Sequence, residues 1–111
     1  MNQQHVKDSV KQLLIEWDRL RPDLEAAYAS HTPERLDLLQ SAIEPLEQLI
    51  ERSGMEENKF TGKMHFVLEP NNYTERLDFI KLQNTSHYAL IQLTMLYEEV
   101  KKKAARLRVQ K

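Results

Sequence analysis

The stretch YTERLDFIKLQNTSHYALIQLTMLYEEVKKKAARL, residues 73–107, decides the fold that the sequence predicts. It contains no Gly and no Pro, and Asn72 directly before it is a residue type that caps helices. We therefore predict one helix of about 35 residues, roughly 50 Å long at 1.5 Å rise per residue. The other segments are then expected to pack around this helix.

Apolar residues fall on two faces of the predicted helix. The first face runs to the end of the helix and comprises Phe79, Leu82, Ala89, Leu90, Leu93, Tyr97, Val100, Ala104 and Leu107. The second face is shorter and comprises Tyr73, Leu77, Ile80, Tyr88, Ile91 and Met95. Because a helix that is apolar on two sides needs packing partners on both, the sequence predicts a central position for this C-terminal helix.

Two further helices are predicted before it. The first runs from about Gln3 to Ala29, with its apolar residues on a single stripe. Pro22 lies off that stripe and the stripe keeps its phase beyond it, which favours one kinked helix, with a break at Pro22 as the alternative. The second helix runs from Pro33 to about Arg52, and Gly54 closes it.

The predicted fold is therefore all-α, a small bundle of three main helices, or four if the first breaks at Pro22. Residues 1–111 are expected to form a single helical domain. An extended segment near residues 60–69 places Met64, Phe66 and Leu68 on one side. A lone strand has no partner in its own chain, so this segment is either a flap over the helices or an edge that pairs with another molecule.

The composition excludes several classes of protein. The chain has no Cys, which rules out disulfides and thiolate metal sites. Its only two glycines, Gly54 and Gly62, are too few for a phosphate-binding loop. No apolar run is long enough to span a bilayer, and the first residues lack the pattern of a signal peptide. These features favour a cytoplasmic protein.

The histidines do not indicate a metal site. His5, His31, His65 and His87 all lack a Glu three residues earlier, and no His-Glu-x-x-His motif occurs. Paired carboxylates occur at Glu56–Glu57 and Glu98–Glu99, and adjacent residues do not face each other on a helix. We therefore expect no cofactor, no metal and no enzymatic activity.

A polar cluster, Gln83 to His87, interrupts the predicted C-terminal helix. Asn84 falls on its second apolar face and Ser86 on its first, where each needs a hydrogen-bond partner. The interpretation we favour is a core polar network, or a polar residue that fixes register. The alternative is a small ligand or active-site pocket beside Asn84 and Tyr88, with His87 as a proton carrier.

Charge is divided unevenly along the chain. The last 11 residues hold six cations and no anion, namely Lys101, Lys102, Lys103, Arg106, Arg108 and Lys111. Since the whole chain has a net charge of −1, residues 1–100 carry −7 against +6 in this tail. Cations suit a helix C-terminus, and they also suit contacts with acidic partners.

Two functions are compatible with these patterns. The first is a non-catalytic helical protein that acts through protein–protein interaction, as an adaptor, regulator or chaperone-like factor, and associates with itself. The second is a nucleic-acid-binding accessory protein that uses the basic C-terminal helix. The acidic body and the absence of aromatic residues in the tail disfavour the second.

Overall fold

Four helices and one β-hairpin make up the computed structural model, which describes residues 3–107. The elements, in chain order, are α1 (Gln3–Ala29), α2 (Glu34–Arg52), β1 (Met55–Glu57), β2 (Met64–Phe66), α3 (Tyr73–Leu82) and α4 (His87–Arg106). The predominantly helical class predicted from the sequence is confirmed, with a small two-stranded sheet added to it.

The first helix is continuous across its proline. α1 runs from Gln3 to Ala29 with Pro22 inside it, and Pro22 is exposed. A proline on the solvent side leaves the carbonyl of Asp18 free to be hydrated, so the helix continues at limited cost. The prediction of one N-terminal helix is confirmed. The predicted second helix is also confirmed as α2, and Gly54 follows it with a left-handed φ of 90°.

The prediction of one long C-terminal helix is wrong. The segment divides into α3 and α4, which are joined by a turn at residues 83–86. Each half then buries its own face: α3 buries Tyr73, Leu77 and Ile80, and α4 buries Ala89, Leu90, Leu93, Leu96, Tyr97, Val100 and Ala104. Residues 3–107 form four helices because the break lies in this segment and not at Pro22.

α4 contacts all three other helices of the described bundle. It packs mainly against α1 and α3, and less extensively against α2. The Trp17 ring of α1 stacks on the Tyr97 ring of α4, with centroids 4.1 Å apart and planes within 5°. The Tyr97 hydroxyl donates to the Ala42 carbonyl oxygen of α2 at 2.6 Å. One aromatic pair therefore joins three helices.

The extended segment has a partner within the chain. β2 pairs antiparallel with β1, with Met55 opposite Phe66 and Glu57 opposite Met64. The expectation that this strand lacks an intrachain partner is wrong, because residues Met55–Glu57 form a second strand beside it. The hairpin is fixed to α2 by Ser53, whose hydroxyl donates to the Ile50 carbonyl and accepts from the Leu68 N–H.

Candidate functional site

The polar residues singled out in the sequence lie in and next to the turn between α3 and α4. Asn84 and Ser86 are half-buried within the turn, and His87 is exposed at the start of α4. The prediction that they occupy the core of a continuous helix is therefore wrong. The Tyr28 hydroxyl of α1 donates to the Asn84 carbonyl oxygen at 2.6 Å, and Arg35 Nε donates to the Thr85 carbonyl oxygen at 3.4 Å.

These side chains have structural roles in the turn. The Ser86 hydroxyl caps α4 by accepting from the Tyr88 N–H at 3.1 Å. The His87 ring lies edge-on to the Tyr28 ring, with centroids 6.3 Å apart. Burial raises the pKa of Tyr28 above its ordinary value, although the nearby Arg35 charge opposes this. The phenol therefore stays protonated and remains a donor to the turn.

The cap gives a direct prediction for the turn. Because Ser86 satisfies an N–H of the first turn of α4, Ser86→Ala should lower the free energy of unfolding by about 0.5–2 kcal/mol. Urea unfolding followed by far-ultraviolet circular dichroism measures this loss. Ser41→Ala is the control, since Ser41 is exposed within α2 and its hydroxyl only donates to the Asp37 carbonyl. Equal stability of the two variants would contradict the capping role.

An exposed apolar ridge runs along α4 on the side away from the core. Tyr88 is 60% exposed, Met95 48% and Ile91 44%. These three residues follow one another at helical spacings of three and four, roughly opposite the buried face of α4. Phe79 of α3 extends the ridge, because its ring meets the Tyr88 ring edge-on with centroids 6.4 Å apart.

Two grooves flank this ridge. The groove between α1 and α4 has a volume of about 460 Å³, and its lining includes His87, Ile91 and Met95. The groove between α3 and α4 has a volume of about 410 Å³ and also reaches Met95. A ridge with a groove on each side is a shape into which another helix can pack.

Two ion pairs within the chain lie beside the ridge. Arg21 Nε and Glu25 Oε1 of α1 form an ion pair at 3.0 Å on one flank. Arg76 of α3 pairs with Glu99 of α4 on the other flank. A partner that covers the ridge would therefore meet Arg21, Glu25, Arg76 and Glu99 as neutral pairs and not as isolated charges.

The basic tail begins on the last turns of α4. Lys101, Lys102 and Arg106 are exposed, and Lys103 is half-buried. The last helical residue is Arg106, so these cations lie at the negative end of the helix dipole. Arg108 and Lys111, also predicted to belong to the basic tail, lie outside the described residues.

The sequence patterns identify the residues of the ridge but not their exposure. Tyr88, Ile91 and Met95 belong to the second apolar face, which was expected to be covered in a single long helix. Because the helix breaks at residues 83–86, these three residues are exposed instead of covered. Three residue types that favour caps and turns, Asn84, Thr85 and Ser86, stand together just before α4, and this run is the signal for the break.

Residues 3–107 contain neither a metal-binding cluster nor a membrane-spanning helix. Within this range, no cluster of three or more His, Asp or Glu side chains is arranged to hold a metal ion. None of the helices described combines the length and apolar character needed to cross a membrane.

The fold and the ridge define a small helical protein with an exposed apolar helix face. Residues 7–111 match the model of the YpoC-like protein family, and the chain belongs to that family. Neither a curated protein nor a solved structure matches the chain.

Proposed function

We propose that this protein is non-catalytic and acts through protein–protein contacts, including self-association, made by the α4 outer face. This face is the stripe formed by Tyr88, Ile91, Met95, Glu98 and Lys102. The observation that supports the proposal is the exposure of three large apolar side chains in succession on an otherwise polar helix surface. Contiguous apolar patches of this kind are typical of interaction sites, because water-exposed apolar area favours burial.

The roles of the turn residues also favour a non-catalytic protein. Ser86 uses its hydroxyl oxygen as a helix cap, and His87 lies edge-on to Tyr28. A nucleophile and its base need to be within hydrogen-bond reach of each other. Ser86 and His87 instead have separate partners, which stabilise the turn.

We also propose that the protein is cytoplasmic, because its sequence contains no Cys.

The α4 outer face is tested by one substitution and a matched control. Ile91→Lys places a charge in the middle of the ridge, and its side chain is exposed, so the fold should be retained. Ile15→Lys on α1 is the control, because Ile15 is 41% exposed on the side of α1 away from its buried residues. Sedimentation velocity over a range of concentrations should show self-association for the wild type and Ile15→Lys, and its loss for Ile91→Lys.

Affinity capture from the native host extends the same comparison to other proteins. Under this proposal, proteins retained by the wild type and by Ile15→Lys should be lost with Ile91→Lys. The proposal fails if the wild type is monomeric throughout and all three chains capture the same proteins, since the face would then contact neither a second copy nor another partner.

Nucleic-acid binding through the basic tail is the second candidate. It is supported by the exposure of Lys101, Lys102 and Arg106 on the last two turns of α4. This function predicts binding that weakens steeply with salt, because the cations would displace counterions from phosphates. Fluorescence anisotropy with a labelled duplex at low salt tests it. Replacement of Lys101, Lys102 and Lys103 by Gln should abolish the signal, and unchanged binding would exclude the tail.

A further inference from the structure

The α4 outer face has the spacing of a coiled-coil seam. Tyr88, Ile91, Met95, Glu98 and Lys102 are separated by steps of three, four, three and four residues. These are the a and d positions of a heptad repeat, at which two helices contact each other. All five side chains are exposed, so the seam is open to a partner, and Tyr88 also meets the Phe79 ring edge-on at its α3 end.

We propose that the partner of this seam is the same seam on a second copy of the chain, with the two α4 helices antiparallel. The proposal rests on the proposed function, since it names a partner for the α4 outer face. Ile91 of each copy packs against Met95 of the other, in a closed two-fold arrangement that uses the same surface twice. This register places the two Ile91 and the two Met95 side chains in the centre of the contact.

Charge selects the antiparallel orientation. With Ile91 opposite Met95, the same register sets Tyr88 opposite Glu98 of the second copy, and the phenol O–H can donate to that carboxylate. Lys102 then faces Asn84 of the second copy, in the turn before α4. A parallel pair would instead set Glu98 against Glu98 and Lys102 against Lys102, and like charges at close range oppose association.

Shape and flanking charge also fit a second copy. The ridge projects between two grooves, so the ridge of each copy can pack into a groove of the other copy. The ion pairs Arg21–Glu25 and Arg76–Glu99 are complete within each chain, so these four flanking residues enter the rim of the contact as neutral pairs. Because the apolar part of the seam is short, we expect association in roughly the micromolar range.

Disulfide trapping tests the orientation, because the chain has no Cys of its own. Tyr88→Cys and Glu98→Cys are prepared separately and oxidised mildly, alone and as an equal mixture. In the antiparallel pair, residues 88 of the two copies are separated by roughly 15 Å along the helix axes, which is too far for a disulfide. The mixture should therefore give a covalent dimer of one variant with the other, while each variant alone stays largely monomeric.

The disulfide products distinguish the antiparallel pair from the alternatives. A mixed disulfide dimer, identified by mass spectrometry, supports the antiparallel pair. Disulfides formed by each variant alone would overturn this orientation but leave self-association through α4 intact. Ile15→Cys is a surface control on α1. If it gave as much covalent dimer as the mixture of Tyr88→Cys and Glu98→Cys, the disulfides would be due to random collision and the proposed pairing would be overturned. A monomeric wild type whose partners are still lost with Ile91→Lys would overturn the inference and the self-association, but would leave the proposed contacts with other proteins standing.

Discussion

Trp17→Ala should lower the free energy of unfolding by about 3–5 kcal/mol, the range measured for buried aromatic residues replaced by Ala. Trp17 is 3% exposed and its ring stacks on Tyr97 at 4.1 Å. Its removal deletes apolar contacts between α1 and α4 and leaves a cavity between them. Since a domain of this size has a total stability of about 5–15 kcal/mol, this loss is a large fraction of the total, and the variant should unfold at a much lower urea concentration than the wild type.

Urea unfolding followed by far-ultraviolet circular dichroism measures this effect. Circular dichroism is needed because Trp17 is the only Trp in the chain, so fluorescence is lost with it. Phe60→Ala is the matched aromatic control, since Phe60 is 98% exposed near the tip of the β-hairpin and should change stability by less than about 0.5 kcal/mol. A loss below about 1 kcal/mol for Trp17→Ala would contradict the stacked core.

Periodicity was sufficient to predict the first two helices. The stripe of α1 keeps its phase across Pro22, and the structure retains the helix there because the proline is on the solvent side. α2 follows the same logic, and Gly54 takes the left-handed conformation that ends it. Each of these helices has a single apolar face, and that face is buried in the core. The periodicity of the sequence and the tertiary packing therefore indicate the same helix.

The division of the C-terminal segment depends on contacts distant in sequence. Asn84 is half-buried in the turn, and the Tyr28 hydroxyl of α1 donates to its carbonyl oxygen. Arg35, which follows the α1–α2 connection, reaches the Thr85 carbonyl. Since neither Gly nor Pro marks the break, helical periodicity alone continues through it. The cap at Ser86 was present in the sequence as a local signal, but the two long-range bonds were not.

The candidate site follows from that division. A single helix would have placed Tyr88, Ile91 and Met95 on the same side as the buried face of α3. Because the turn changes the direction of the chain, α4 places its other face on the core, and these three residues become the exposed ridge. The sequence was sufficient to identify an apolar second face, but its exposure required the position of α3.

Stability should fall steeply as the pH rises above about 10, because three tyrosines are buried in the folded chain. Burial raises the pKa of Tyr97 above its ordinary value of 10.0, with Glu16 adding to the effect. Burial also raises the pKa of Tyr73, with Glu47, Glu51 and Glu69 adding to it, and that of Tyr28 against the charge of Arg35. The unfolded chain therefore loses these protons first, and its ionisation favours unfolding.

Tyr97→Phe isolates one of these groups. Because the pKa of Tyr97 is higher in the folded chain than in the unfolded chain, its protonated hydroxyl stabilises the fold fully below pH 10. This contribution is lost as the pH rises through the folded-state pKa. The variant keeps the ring on Trp17 and loses the hydrogen bond to the Ala42 carbonyl, so near pH 7 it should be less stable by about 1 kcal/mol. Between pH 10 and the folded-state pKa, its stability should decline less steeply, by up to about 1.4 kcal/mol per pH unit.

Urea unfolding of both chains from about pH 7 to pH 11 gives the two stability curves. Taking the difference between them cancels the ionisation of exposed lysines, which both chains share. The curves should converge above pH 10, since the hydroxyl that stabilises the fold at neutral pH is the group whose ionisation favours the unfolded chain. Parallel curves over the whole range would mean that Tyr97 ionises equally easily in the folded and unfolded chains. That result would contradict a buried phenol held between α1, α2 and α4.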